Sequence, residues 1–257
     1  MLTVLSWKEP QKKTLWKKIK QKLFGIHAEI TEKEIERVLI RTIFCEREHF
    51  TRLMREIAAL AGGESGDMLL PADFTAPDGC LISAYEPTDF VSAVQKTALR
   101  YILKKAKINP QELTVSLIDN KSRHSGLLAE LLCYAAEVRA VCESGLYDDA
   151  AGRAMELTGA SVITGEQPGN DRMIVSFEPG DTYILLNGRD RIDGYFVRPP
   201  YEFAREFGSR YDEWLLCSML YEKCGVRVLE NTLPESVMLN GRRLPLNEIP
   251  GLFRTRT

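Results

Sequence analysis

The chain has 257 residues, 44% of them hydrophobic, and a formal net charge of −2. That length suits one large domain or two small ones, and that apolar fraction is enough for a proper core. The near-balance of charge removes bulk electrostatics as a guide to nucleic acid or to an acidic ligand.

Residues 1–6 lack a hydrophobic leader with a small-residue cleavage site, and no apolar run approaches the roughly 20 residues that span a bilayer. Six cysteines lie scattered at positions 45, 80, 133, 142, 217 and 224, with no C-x-x-C pair, as expected of reduced thiols in a cytoplasmic protein. Residues 7–24, WKEPQKKTLWKKIKQKLF, hold seven lysines and one glutamate, so this segment is basic and the remainder net acidic. Beyond Pro10 it reads as an amphipathic helix with Leu15, Trp16, Ile19 and Leu23 on one side. Two roles fit: a surface helix for anionic lipid or nucleic acid, or a helix docked on its own domain with lysines outward. The second is favoured, since lysine is a common solvated residue.

Thr31 and Glu34 form a T-x-x-E capping box that predicts a long helix over 31–61. Its seam of Leu39, Ile43, Phe50, Leu53, Ile57 and Leu60 is interrupted at Glu46, which favours packing on its own domain. A homodimer through this helix is the alternative. His49, beside the seam, reads as a helix-surface or boundary residue and not as a ligand. Residues 62–79 read as a loop and 80–85 as a short strand. Residues 89–107 read as a helix with Phe90, Val91, Val94, Ala98, Tyr101 and Ile102 inward. Asn109 and Pro110 carry a cap-and-start signal. The domain boundary is therefore placed near 110, dividing a helical N-terminal region, 1–109, from an α/β domain, 110–257.

Residues 113–145 read as strand, turn, helix, strand. Val115, Leu117 and Ile118 suit a strand buried on both faces. A polar turn from Asp119 to Gly126 follows, in which Ser122 or Ser125 is expected to cap a helix carrying Leu127, Leu128, Leu131, Leu132 and Ala135. Val138, Ala140, Val141 and Cys142 give a second strand ending at Glu143. A helix over 146–158, with Leu146, Ala150, Ala154 and Leu157 on one face, stops at Gly159 before a third strand, Ser161 to Thr164. The three strands are expected to be adjacent and parallel. The seven-residue link after them is short for a helical crossover. Residues 173–177 and 182–186 read as an antiparallel hairpin about Pro179–Gly180. Residues 187–200 read as a polar loop, 212–224 as a helix, Asn240–Gly241 as a hairpin turn, and 251–257 as frayed.

The fold class is thus α/β: a Rossmann-like three-layer core with parallel strands and an antiparallel hairpin, preceded by a helical N-terminal region. Over residues 113–187 this architecture resembles Rossmann-like NAD(P)-binding domains. The resemblance implies a pyrophosphate site at the turn after the first strand and a ribose-binding acid near Glu143. That family's turn is glycine-rich. Here it holds one glycine, Gly126, with Lys121, Arg123 and His124 in the path of a dinucleotide. NAD(P) is accordingly disfavoured as a cofactor, and no other cofactor is assigned.

Other chemistry finds no pattern. The three histidines, His27, His49 and His124, have no zinc spacing, and neither G-x-S-x-G nor a P-loop occurs. The ligand-binding candidates are Asp119, Asn120, Lys121, Ser122, Arg123, His124 and Ser125, with Glu143 at the next strand end. Free helix amides and basic side chains point to a small anion or a mononucleotide there. The plainer alternative is a polar turn that caps a helix. The functional reading is a non-catalytic binding or regulatory protein with a degenerate nucleotide-binding-type fold. Its rivals are an NAD(P)-dependent oxidoreductase with an atypical phosphate loop and a peripheral scaffold that uses the basic N-terminal segment.

Overall fold

The computed structural model describes residues 1–8, 27–62, 68–82, 85–143, 145, 147–159 and 161–254. Its elements begin with β1 (Leu2–Trp7), β2 (Glu29–Ile35), β3 (Val38–Cys45), α1 (Phe50–Leu60), β4 (Met68–Leu69) and α2 (Asp89–Ala106). Next come β5 (Thr114–Ile118), α3 (Leu127–Leu132), β6 (Glu137–Val141), α4 (Asp148–Thr158) and β7 (Ser161–Gly165). The chain continues with β8 (Met173–Glu178), β9 (Asp181–Leu186), β10 (Asp190–Phe196), α5 (Tyr201–Phe207), α6 (Glu213–Glu222), β11 (Ser236–Leu239), β12 (Arg242–Pro245) and α7 (Ile249–Arg254). The protein is a mixed α/β chain in two compact units: Met1–Phe90 with Arg198–Glu230, and Val91–Val197 with Asn231–Thr257. The division thus falls at residue 90 rather than near 110, and α5 and α6 belong to the first unit. Helix α2 shows why. Its stripe of Val94, Ala98 and Ile102 is fully buried, and Gln95 Nε2 donates to the carbonyls of Ser176 (2.9 Å) and Tyr183 (3.1 Å) in the second unit's sheet.

The first unit opens with strands, which corrects the expected helical N-terminal region. Its sheet has the order β2-β3-β1-β4, with β1 parallel to β3 and β4, and β2 antiparallel to β3. Thr31 and Glu34 are therefore strand residues and no capping box exists. Glu36 and Arg37, at φ +48° and +66°, turn β2 into β3 without a glycine. Val38 and Ile40 are buried on one face of β3 and Ile43 and Cys45 on the other, while Glu32 faces Arg41 across the pair and bonds it at 2.9 Å. Only the end of the expected 31–61 helix forms, as α1, with Phe50, Leu53 and Ile57 inward. The homodimer through that helix loses its basis. Cys80 to Ile82 make no strand; the unit's fourth strand is β4. Of the basic 7–24 segment, Trp7 ends β1 and Lys8 pairs with Glu29, while 9–24 lie outside the described residues.

Helix α6 is capped by Asp212, whose carboxylate accepts from Leu215 N at 2.9 Å. Its last residue, Glu222, closes the unit. The carboxylate accepts from the amides of Thr88 (3.0 Å) and Phe90 (2.8 Å) at the start of α2, and from the Tyr85 hydroxyl. A carboxylate on helix N-terminal amides gains from charge-assisted bonds and from the dipole. Glu222→Ala is expected to cost about 2 kcal/mol in urea-induced unfolding. A loss under about 0.5 kcal/mol, the scatter of neutral surface changes, would contradict this role.

The second unit is one sheet of order β12-β11-β10-β9-β8-β5-β6-β7. Strands β8, β5, β6 and β7 are parallel, in agreement with the expectation for the three βαβ strands, and β8 through β12 pair antiparallel. The expected hairpin is thus the start of a longer meander. Residues 187–200, expected as a loop, contain β10. Asn187 and Gly188, at φ +51° and +69°, form a tight turn of the kind that Asn240 and Gly241 make between β11 and β12. The tail to residue 254 is a helix, α7, anchored by fully buried Ile249 and Phe253, rather than frayed. Residues 255–257 lie outside the described residues.

Two further corrections bear on function. Helix α4 buries Ala151 and Ala154, with Tyr147 fully buried just before it, in place of Ala150 and Leu157. Leu157 is 79% exposed. The link from β7 to β8 is the seven residues 166–172, and it crosses one face of the sheet as a strap. Ser116 Oγ accepts from Gly169 N at 3.3 Å and bonds Asp171, and Thr114 Oγ1 accepts from Arg172 N at 3.3 Å. A doubly wound three-layer fold would carry a helix on this face. Here a strap too short for a helix covers it. Among the described residues no helix is long and apolar enough to cross a membrane.

Candidate functional site

The carboxyl ends of β5 and β8 lie side by side, because β8 is β5's parallel neighbour. The loop leaving β5 begins at Asp119, which is buried. Its amide continues the ladder to Val141 O at 3.0 Å, and its carbonyl accepts from Ser122 N at 3.0 Å. Ser122 stands at φ +51°, a left-handed conformation that few non-glycine residues adopt. The chain then doubles back. Arg123 N donates to Asp119 Oδ1 at 3.2 Å, and His124 N to Oδ2 at 2.7 Å. Asp119 Oδ2 also accepts from the Tyr147 hydroxyl at 2.7 Å. One residue into the loop, Asn120 N donates to Glu178 Oε1, at the end of β8, at 2.7 Å. The His124 ring lies 4.2 Å from that of Phe177.

Three amides of the loop, those of Asn120, Arg123 and His124, are therefore already held by two carboxylates of the chain itself. Asp119 serves as an internal anion for the turn, and Glu178 closes it from the neighbouring strand. Neither Ser122 nor Ser125 caps α3. Gly126 is its N-cap, and the first amides of the helix, Leu127 and Leu128, bond the carbonyls of His124 (2.9 Å) and Ser125 (3.1 Å). Helix α3 has only six residues, so its dipole is small.

Of the residues singled out in the sequence, Asp119, Asn120, Arg123 and His124 meet in this network. Lys121 and Arg123 are exposed, and Ser122 and Ser125 half-buried. Glu143 is exposed just beyond the end of β6, at the same sheet edge. Sequence reasoning missed Tyr147, Phe177 and Glu178. Tyr147 had a signal: with Ala151 and Ala154 it makes an apolar i, i+4, i+7 stripe. Burial, then the bond to Asp119, pushes the Tyr147 phenol up. Burial likewise pushes up the Cys142 thiol, opposed by the Tyr147 amide. Both groups hold their protons at neutral pH, so neither is a ready base or nucleophile. Burial raises Cys45 to about 11 and Cys217 to about 12, and all six cysteines are free.

The first unit has a cleft of about 650 Å³, within the range of small-molecule sites, walled by Trp7, Phe44, Pro71 and Tyr211. Lys8 pairs with Glu29 at its rim, and Asp73 with Arg47 and with Trp7 Nε1.

No family model matches the chain, and no curated protein matches it. Among solved structures it is similar to the crystal structure of L-tryptophan dehydrogenase from Nostoc punctiforme, at 12% identity and a TM-score of 0.27. The match covers 54% of this chain and 42% of that one, so the chain spans about two fifths of the dehydrogenase's length.

Proposed function

We propose that the chain is a non-catalytic binding or regulatory protein whose second unit keeps a Rossmann-like arrangement without its dinucleotide site. The order β7-β6-β5-β8, with α3 and α4 between the first three strands in sequence, is that of the first half of a dinucleotide fold. The observation that carries the reading is the occupation of the loop amides by Asp119 and Glu178. A pyrophosphate at this turn would lie against two carboxylates. At about 4 Å each such pair of charges repels by roughly 1–4 kcal/mol, depending on the local dielectric. It would also have to displace bonds already made. A small anion is left with the solvated side chains of Lys121 and Arg123. The cleft in the first unit is the ligand-sized concavity that supports a binding role.

Titration calorimetry with NAD, NADP and their reduced forms tests this. The expected result is no binding tighter than millimolar. A micromolar constant for any of the four, lost in Arg123→Ala or Glu143→Ala, would restore the oxidoreductase reading.

A further inference from the structure

We propose that the protein forms a symmetric homodimer by antiparallel pairing of β7 with β7 of a second copy. The observations lie at the free edge of the second unit's sheet. Strand β7 is its last strand and, among the described residues, pairs only with β6. Cys142 N donates to Gly165 O, so Gly165, Ile163 and Ser161 point their backbone groups at β6. Backbone direction alternates along a strand, so Val162 and Thr164 point theirs outward, away from the sheet.

An open edge is a hazard that proteins blunt with charge, proline or shortness. The other edges show these devices. Strand β2 carries Glu29, Glu32, Lys33 and Glu34, β12 carries Arg242, Arg243 and Pro245, and β4 has two residues. Strand β7 reads Ser-Val-Ile-Thr-Gly, with β-branched residues at its centre and no charge or proline.

The edge is self-complementary. A two-fold axis through Ile163 sets Val162 opposite Thr164 of the copy in a hydrogen-bonded pair, and the reverse pair forms beyond the axis, so every outward amide and carbonyl finds a partner. Ile163 meets its own copy in the non-bonded site on the axis. The same operation applied to β2 or β12 would bring like charges together, which excludes those edges as self-pairing surfaces. Extending the sheet in this way keeps the two α4 helices on one face of the continuous sheet.

Sedimentation velocity on the full chain at about 50 μM, above the dissociation constants usual for standard interfaces, is expected to give twice the 29.1 kDa chain mass. Paired Cα atoms in a non-bonded antiparallel site lie about 4.5 Å apart, within disulfide range. Ile163→Cys is therefore expected to crosslink as a dimer under mild oxidation, well beyond the wild type with its exposed Cys133. A monomeric wild type, or an Ile163→Cys variant that crosslinks no better than wild type, overturns the proposal.

Discussion

Leu117→Asp is expected to abolish the cooperative melt of the second unit. Leu117 is fully buried at the centre of β5, with Ala140 on β6 and Val175 on β8 as its register partners. Replacing it removes about 2 kcal/mol of apolar burial. The aspartate then either ionises in a dry layer, at a cost of several kcal/mol, or stays protonated with an unmet donor. The sum rivals the roughly 5–15 kcal/mol that holds a whole domain together. Val115, equally buried on the same face, should behave alike. Circular dichroism with heating checks this; a sharp transition within a few degrees of the wild type would show that β5 is not buried on this face.

Asp119→Ala has the next largest expected effect. It leaves the amides of Arg123 and His124 and the buried Tyr147 hydroxyl without their acceptor. Three bonds to a charged group, partly replaced by water at the loop, amount to about 3–5 kcal/mol. For a chain of this size that lowers the melting temperature by roughly 6–20 °C. Tyr147→Phe removes one of the three and should cost about 1 kcal/mol. If Asp119→Ala cost no more than Tyr147→Phe, the carboxylate would not be the anchor of the loop.

The parallel core was legible because its signals are local. Apolar runs such as Val115 to Ile118, the leucine stripe of α3, the Gly159 stop and the Asn240–Gly241 turn each specify their element within a few residues. The N-terminal strands were not, because residues 29–45 are rich in glutamate, lysine and arginine, and a seven-residue seam overlies their alternation. What decides the matter is pairing with β1, far outside any window, together with a turn at Glu36–Arg37 that contains no glycine to announce it. The loop after β5 is the one the sequence singled out, yet its hydrogen bonding was hidden. Glu178 reaches Asn120 only because β8 is β5's neighbour, and that adjacency depends on a strap no periodicity reveals.

Amide NMR of the loop tests the central claim most directly. In the free protein the Asn120, Arg123 and His124 amides should already be shifted downfield by their carboxylate acceptors. They should stay in place through millimolar NAD and millimolar phosphate. Saturable displacement of these three resonances at micromolar NAD would mean that the carboxylates yield to a dinucleotide, and would contradict the account.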